Sequence, residues 1–349
     1  MKEKILLIFL VNAFLFSSCN KENNPVSAYD NEFLNELVSK IEAGQYGEVH
    51  SLLISQNDTI VFEEYFNGYS RQDRHPMYSV TKSFTSAVMG ICMDKGDIDS
   101  TGMKVLDFFP EYRGSIANYD SLKEIITIEH LLTMTAGFTW DELSTSYNDP
   151  DNYVAGFVQS SDWIKYVLDL PMSYAPGRHT TYNSGVSHVL SGIISRASGR
   201  SSAQTALENI FTKLTFENWS WDSRPGNISI GGWGLSIRPI DMVKFGQLYL
   251  HKGKWGNEQI ISESWIEQSI KPFSQINYYC DYGYQWWRYG QNSGLKSTGI
   301  FFAAGRGEQF IWVIPGYNAV AVCTAWNDNQ SKLDPLLSEY ILPALENLK

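Results

Sequence analysis

The stretch Ser79-Val80-Thr81-Lys82-Ser83-Phe84-Thr85-Ser86-Ala87-Val88-Met89-Gly90-Ile91-Cys92-Met93 decides how the rest of the chain is read. Val80, Phe84, Val88, Ile91 and Cys92 recur at helical spacing and form one apolar stripe. Ser79, Ser83, Ser86 and Gly90 make a second face of small residues, which lets neighbouring elements approach closely. Gly96 follows as a stop signal. Such a helix is expected at the centre of the fold, where Lys82 is costly unless it is paired. Lys82 lies one turn after Ser79, on the same face. An amine of lowered pKa can take a proton from a serine hydroxyl, so the pair reads as a nucleophile with its base. The same Ser-x-x-Lys spacing recurs at Ser18/Lys21 and Ser293/Lys296, but neither of those opens an apolar helix. Spacing alone therefore leaves a purely structural lysine open.

Working outward, Val49–Gln56 and Thr59–Phe66 alternate around Asn57-Asp58 and predict a β-hairpin. A short helix near Asn31–Ala43 precedes it. Beyond the opening helix, Thr127 is expected to cap a helix over Ile128–Ala136 that ends at Gly137. Residues 141–160 are polar without periodicity and predict a long loop. Helices are expected at Ser161–Leu170, at Gly185–Ala197, from Pro239 and after Ser262. Tyr282–Arg288, Ser297–Ala304, Gln309–Ile314 and Ala319–Trp326 read as strands, with a last helix from Asp334-Pro335. Strands at both ends and helices between them predict an α+β fold. One antiparallel β-sheet is built from N- and C-terminal strands, flanked by helices, with an inserted helical subdomain at roughly 97–235.

The 349 residues carry a net charge of −11, and 43% are hydrophobic and 14% aromatic. That composition supports a large core and argues against nucleic acid or an anionic membrane surface as partner. Lys2 and Lys4 precede an apolar-leaning run from Ile5 to Phe16, too short to span a bilayer but suited to a signal peptide. Phe16-Ser17-Ser18-Cys19 then resembles a bacterial lipoprotein signal, with Cys19 as the lipidated residue. Residues 1–19 are thus read as a leader, 20–30 as a polar tether and 31–349 as one domain. The expected location is the cell envelope, with the lipid anchor as the membrane contact. Cys92, Cys280 and Cys323 sit in apolar or aromatic contexts and read as buried thiols. No Cys/His pair has zinc-ligand spacing, and no metal or cofactor is expected.

Three separated stretches together resemble the serine hydrolases of the class C β-lactamase and penicillin-binding-protein superfamily. They are Tyr78-Ser79-Val80-Thr81-Lys82-Ser83, then Pro176 to Gly185 containing Tyr182-Asn183-Ser184, and then Ala303-Ala304-Gly305-Arg306-Gly307-Glu308-Gln309. Ile126–Gly137 and Gly234–Met242 support the match, which spans roughly residues 30–345. The resemblance implies that Ser79 is acylated, and that Lys82 and Tyr182 share acid–base work in an order left open. It implies an oxyanion hole from the amides of Ser79 and Arg306, with Ala304, Gly305 and Ser184 lining the substrate site. Ala303 stands where lactamases and peptidases carry a lysine or histidine, and Ser184 replaces an asparagine. Arg306 and Arg178 are the candidates to supply a cation instead. These departures count against efficient β-lactamase or D,D-peptidase activity and favour small esters or amides, with β-lactams or peptidoglycan-derived peptides as poor substrates; a monomer is expected. The alternative is an inactive exported protein that binds peptidoglycan or glycan. Trp140, Trp233, Trp286 and Trp287 are its candidate platforms.

Overall fold

The computed structural model describes residues 31–224, 226–327 and 335–347. The leader, the tether and Cys19 lie outside the described residues. Eight strands form one antiparallel sheet. They are β1 (Val49–Gln56), β2 (Thr59–Tyr65), β3 (Ser274–Gln275), β4 (Cys280–Tyr282), β5 (Trp287–Tyr289), β6 (Phe301–Gly305), β7 (Gln309–Ile314) and β8 (Ala319–Ala325). Their order is β3-β4-β5-β6-β7-β8-β1-β2, so the strands from the two ends of the chain meet inside the sheet. Val49 pairs with Ala325 and Gln56 with Ala319. The hairpin turns through Asn57 and Asp58, both at positive φ, which matches the right-handed twist of the strands it joins.

Alternation along the strands supplies two cores. Leu53, Phe301, Ala303, Ile311, Val313, Val320 and Val322 face one side. Leu52, Ile54, Phe302, Trp312, Ile314, Ala321 and Cys323 face the other. Helix α1 (Glu32–Glu42) and the terminal helical segment Leu336–Asn347 cover the second face. The first face carries the opening helix, α2 (Thr81–Asp94), and the Pro239–Leu250 helix. The Pro239–Leu250 helix lies flush on β8. A Cβ on Gly246 would sit 2.5 Å from Val320 Cγ1.

Every residue of α2 from Thr81 to Cys92 is buried. Its Phe84 stacks on Phe245. A Cβ on Gly90 would come within 2.4 Å of the Trp265 indole, so the small face expected from the sequence is a packing requirement. Truncating Phe84 to alanine is expected to cost about 3–5 kcal/mol.

Three expectations need correcting. The Thr127-capped helix α3 ends at Leu132, and the left-handed Met134 (φ 59) turns the chain before Gly137. Met134 then serves the segment ahead of Tyr182: its carbonyl accepts from Thr181 N, and its sulfur from Asn183 N. The expected loop over 141–160 contains α4 (Tyr153–Gln159), capped by the Asn152 side chain and held by buried Phe157. The Tyr282–Arg288 strand is two strands, β4 and β5, reversed between Gly283 and Gln285, where Gln285 has φ 61. Helices α5 (Trp163–Asp169) and α6 (Ser184–Ser198) stand as expected. Asn183 caps α6 and left-handed Gly199 stops it. The three cysteines of the described residues are buried free thiols.

Candidate active site

The chain reaches Ser79 through a short strand, His75–Pro76, that pairs with Leu235–Ile237. Met77 N then donates to Leu235 O at 2.8 Å. Tyr78 takes φ 45, unusual for an aromatic residue, and a 3-10 turn over Tyr78–Val80 leads into α2. This local strain aims Ser79 at the gap between α2 and the end of β6. Gly305 closes that gap: a Cβ there would sit 2.3 Å from the Met77 carbonyl oxygen and 3.3 Å from Ser79 N. Only a residue without a side chain lets strand and turn approach this closely.

Lys82 is 1% exposed and sits at the bottom of the site. Its Nζ lies 2.9 Å from Ser79 Oγ, 2.9 Å from Ser184 Oγ and 3.0 Å from the Gly232 carbonyl oxygen. Gly232 must be small to bring its carbonyl there, since a Cβ would fall 2.8 Å from Ser184 O. Burial pulls the Lys82 pKa down to about 8, against the opposing pull of the Glu142 carboxylate. Tyr182 is also buried, with its ring centroid 4.7 Å from the amine. Burial first, and then Glu142, push the Tyr182 phenol well above its ordinary range, while a hydrogen bond with Ser79 acts the other way. Burial and the Glu142 carboxylate thus both favour the neutral phenol.

Glu142 carries no sequence motif, yet it is central to the site. The side chain is 1% exposed and takes four donors. Ser184 N and Ser184 Oγ each donate to it at 2.7 Å, Trp140 Nε1 at 2.7 Å and Tyr147 OH at 3.1 Å. The first of these comes from the N-terminus of α6, where partial positive charge favours an anion. The backbone around Glu142 is tied down in turn, because Asn152 Nδ2 donates to the carbonyls of Glu142 and Thr145.

These groups open onto a cavity of about 730 Å³. Its floor holds Ser79, Tyr182 and Ser184, and one wall holds Leu143, Tyr147, Val154, Val158 and Trp233. The opposite wall comes from Trp287, Phe310 and the run Ala304-Gly305-Arg306-Gly307-Glu308. The Arg306 guanidinium lies over the Tyr147 ring at 5.3 Å and the Trp326 ring at 5.5 Å, bridging the two walls.

The structure thus gathers Ser79, Lys82, Tyr182, Ser184, Ala304, Gly305 and Arg306 at one site. Ala303 points into the helical core and not into the cavity, and Arg178 is exposed on a turn outside its lining. Of the four tryptophans, Trp233 and Trp287 line the cavity, whereas Trp140 and Trp286 are buried in the core. His188 is buried against Trp163 and Phe157. Among the described residues, no group of three or more His, Cys, Asp or Glu is placed to hold a metal.

A 6-aminohexanoate-dimer hydrolase from Paenarthrobacter ureafaciens is 23% identical to this chain over 312 residues, 81% of this chain and 74% of that protein. A candidate 6-aminohexanoate-dimer hydrolase from Bacillus anthracis shares the fold with a TM-score of 0.75 and 22% identity, covering 88% of this chain and 81% of that one. An octameric penicillin-binding protein homologue from Pyrococcus abyssi does so with a TM-score of 0.68 and 19% identity, over 90% and 77% of the two chains. Residues 41–346 match the beta-lactamase family as a whole, and the chain belongs to that family.

Proposed function

We propose that the protein is a serine hydrolase that cleaves small esters and amides through an acyl-enzyme on Ser79. The observation that carries this reading is the 2.9 Å approach of the buried Lys82 amine to Ser79 Oγ on the floor of a cavity. In this reading neutral Lys82 takes the Ser79 proton as Oγ bonds to the substrate carbonyl carbon. The amides of Ser79 and Arg306 hold the oxyanion, at the point where Gly305 brings β6 against the nucleophile turn. Tyr182, kept protonated by burial, delivers a proton to the departing alkoxide or amine and recovers one from Lys82. Water then repeats the sequence on the acyl-enzyme. This reading takes lysine as base and tyrosine as acid, supported by the directions in which burial moves the two groups.

The aromatic and aliphatic walls suit an apolar acyl or alcohol group. With alanine at 303 turned into the core, that position offers no cation to a β-lactam carboxylate, so short esters should lead and nitrocefin should be slow. Incubation with a fluorophosphonate followed by intact-mass measurement tests the chemistry. The wild type should gain one adduct and Ser79→Ala none. Equal labelling of the two overturns the reading, and nitrocefin turnover above that of p-nitrophenyl esters overturns the ranking. The proposal extends to an envelope lipoprotein anchored through Cys19. Metabolic labelling with radioactive palmitate that persists in Cys19→Ala would remove that part.

A further inference from the structure

We infer that Glu142 is the positioning residue that aims the lone pair of Lys82 at Ser79, acting through the hydroxyl of Ser184. The inference rests on the reading of Ser79 as nucleophile and Lys82 as its base, and concerns what makes that base directional. It follows from counting protons.

A charged Lys82 has three N–H donors, and three acceptors surround it: Ser79 Oγ, Ser184 Oγ and the Gly232 carbonyl. When one proton leaves, the amine keeps two N–H groups and gains one lone pair. The lone pair must face a neighbour that can donate. The Gly232 carbonyl has no proton. Ser184 has one, but it is spent on Glu142 Oε1 at 2.7 Å. Among the three hydrogen-bond partners of Nζ, Ser79 remains, and its O–H is the bond that must break when Oγ attacks. The proton then completes the ammonium and the carbonyl electron pair moves to the oxygen.

Without the carboxylate, the Ser184 hydroxyl is free to rotate and donate to the amine, and it then competes with the nucleophile for the same lone pair. Glu142 cannot turn away to release it. The side chain is almost fully buried, its acceptor positions are filled by Ser184 N, Trp140 Nε1 and Tyr147 OH as well, and Asn152 pins its backbone. Its charge also sustains the protonated form of Lys82. A glutamine in its place presents an amide N–H₂ to Ser184, which inverts that hydrogen bond and removes the charge. Glu142 does not itself line the cavity; it reaches the lining through Ser184 and Tyr147.

The test follows fluorophosphonate labelling of Ser79 and p-nitrophenyl acetate turnover against pH. It uses the wild type, Glu142→Gln, Glu142→Asp, Ser184→Ala and the Ser184→Ala/Glu142→Gln double variant. Glu142→Gln should lower the labelling rate and kcat on the order of 10²-fold, with KM within about threefold of the wild type. The midpoint of the rise in rate with pH should move to lower pH, and Glu142→Asp should recover part of the loss. In the Ser184→Ala background, Glu142→Gln should add little, because its route to Lys82 is already cut. A wild-type rate and midpoint in Glu142→Gln overturns the inference, as does an undiminished further loss in the double variant. Should Glu142→Gln fail to fold, Glu142→Asp decides the matter, made in the wild type and in the Ser184→Ala background, where the competing hydroxyl is absent. An equal loss from Glu142→Asp in the two backgrounds overturns the inference while the hydrolase reading stands. An unlabelled wild type takes down both.

Discussion

Lys82 and Lys123 are buried to the same degree, each 1% exposed, and burial lowers the pKa of both. They differ in the company they keep. Lys123 sits in the 3-10 turn Ser121–Ile125 and donates to the carbonyls of Ala117 at 3.1 Å and Leu168 at 2.8 Å. Neither partner carbonyl has a proton to return, so the amine ties the turn at Ala117 to α5. Lys82 has one carbonyl and two hydroxyls, and the two serines that carry the hydroxyls line a cavity. A buried amine with lowered proton affinity is thus a tether or a base according to whether a neighbour can hand it a proton.

The widest separation between the two should appear in activity. Lys82→Ala is expected to lower the rate of Ser79 labelling on the order of 10²–10⁴-fold, and Lys123→Ala should leave the rate per folded molecule unchanged. Comparable losses in both would erase the distinction. Gly305→Ala probes whether Lys82 needs the strand beside it. The added Cβ, 2.3 Å from the Met77 carbonyl, must push β6 away from Ser79, and an activity loss of about 10²-fold is expected with the circular dichroism spectrum intact. An active Gly305→Ala would show that the strand edge contributes nothing to the chemistry.

Stability should reverse the ranking. Lys123→Met takes the amine donor from the buried Leu168 carbonyl, at a cost of about 1–3 kcal/mol, and from the more exposed Ala117 carbonyl at less, readable by urea unfolding. The smallest effect is a slope. Between pH about 8 and the ordinary lysine range, the unfolded chain binds a proton at Lys82 that the folded site does not. The stability of the wild type should therefore rise with pH across that window and level off below it. Lys82→Met should lack this contribution, and activity should climb with pH through the same region. A wild-type slope in Lys82→Met would place the titrating group elsewhere.

Ser79 and Lys82 were legible because their relation is local: three residues apart on an apolar helix fixes a shared face whatever surrounds them. Tyr182, Ser184 and Gly305 come from distant segments and could be read only through a resemblance in several stretches at once. Glu142 was not legible. It is one acid among 38 in a polar stretch, and its role is created by burial beneath Trp140, Tyr147 and the start of α6. The α4 helix did leave a trace, since Tyr153, Val154, Phe157 and Val158 recur at helical spacing, but the polar residues before them masked it. The β4–β5 reversal hid inside a run of aromatics because its turn residue, Gln285, is not a type that announces a turn. Gln285 is tolerated there because it is bonded into the core: its side chain donates to the Leu131 and Leu132 carbonyls and accepts from Ser187.

The pairing of β1 with β8 carries a consequence for how the chain matures. Residues 49–56 lie inside the sheet only once residues 319–325 have arrived beside them. Until residues 319–325 are in place, β1 has the hairpin partner alone and exposes a long apolar edge. Before that point the sheet that backs α2 is incomplete, and so is the setting of Ser79. Nicks or early stops upstream of residue 319 should yield insoluble fragments and not weakened enzyme.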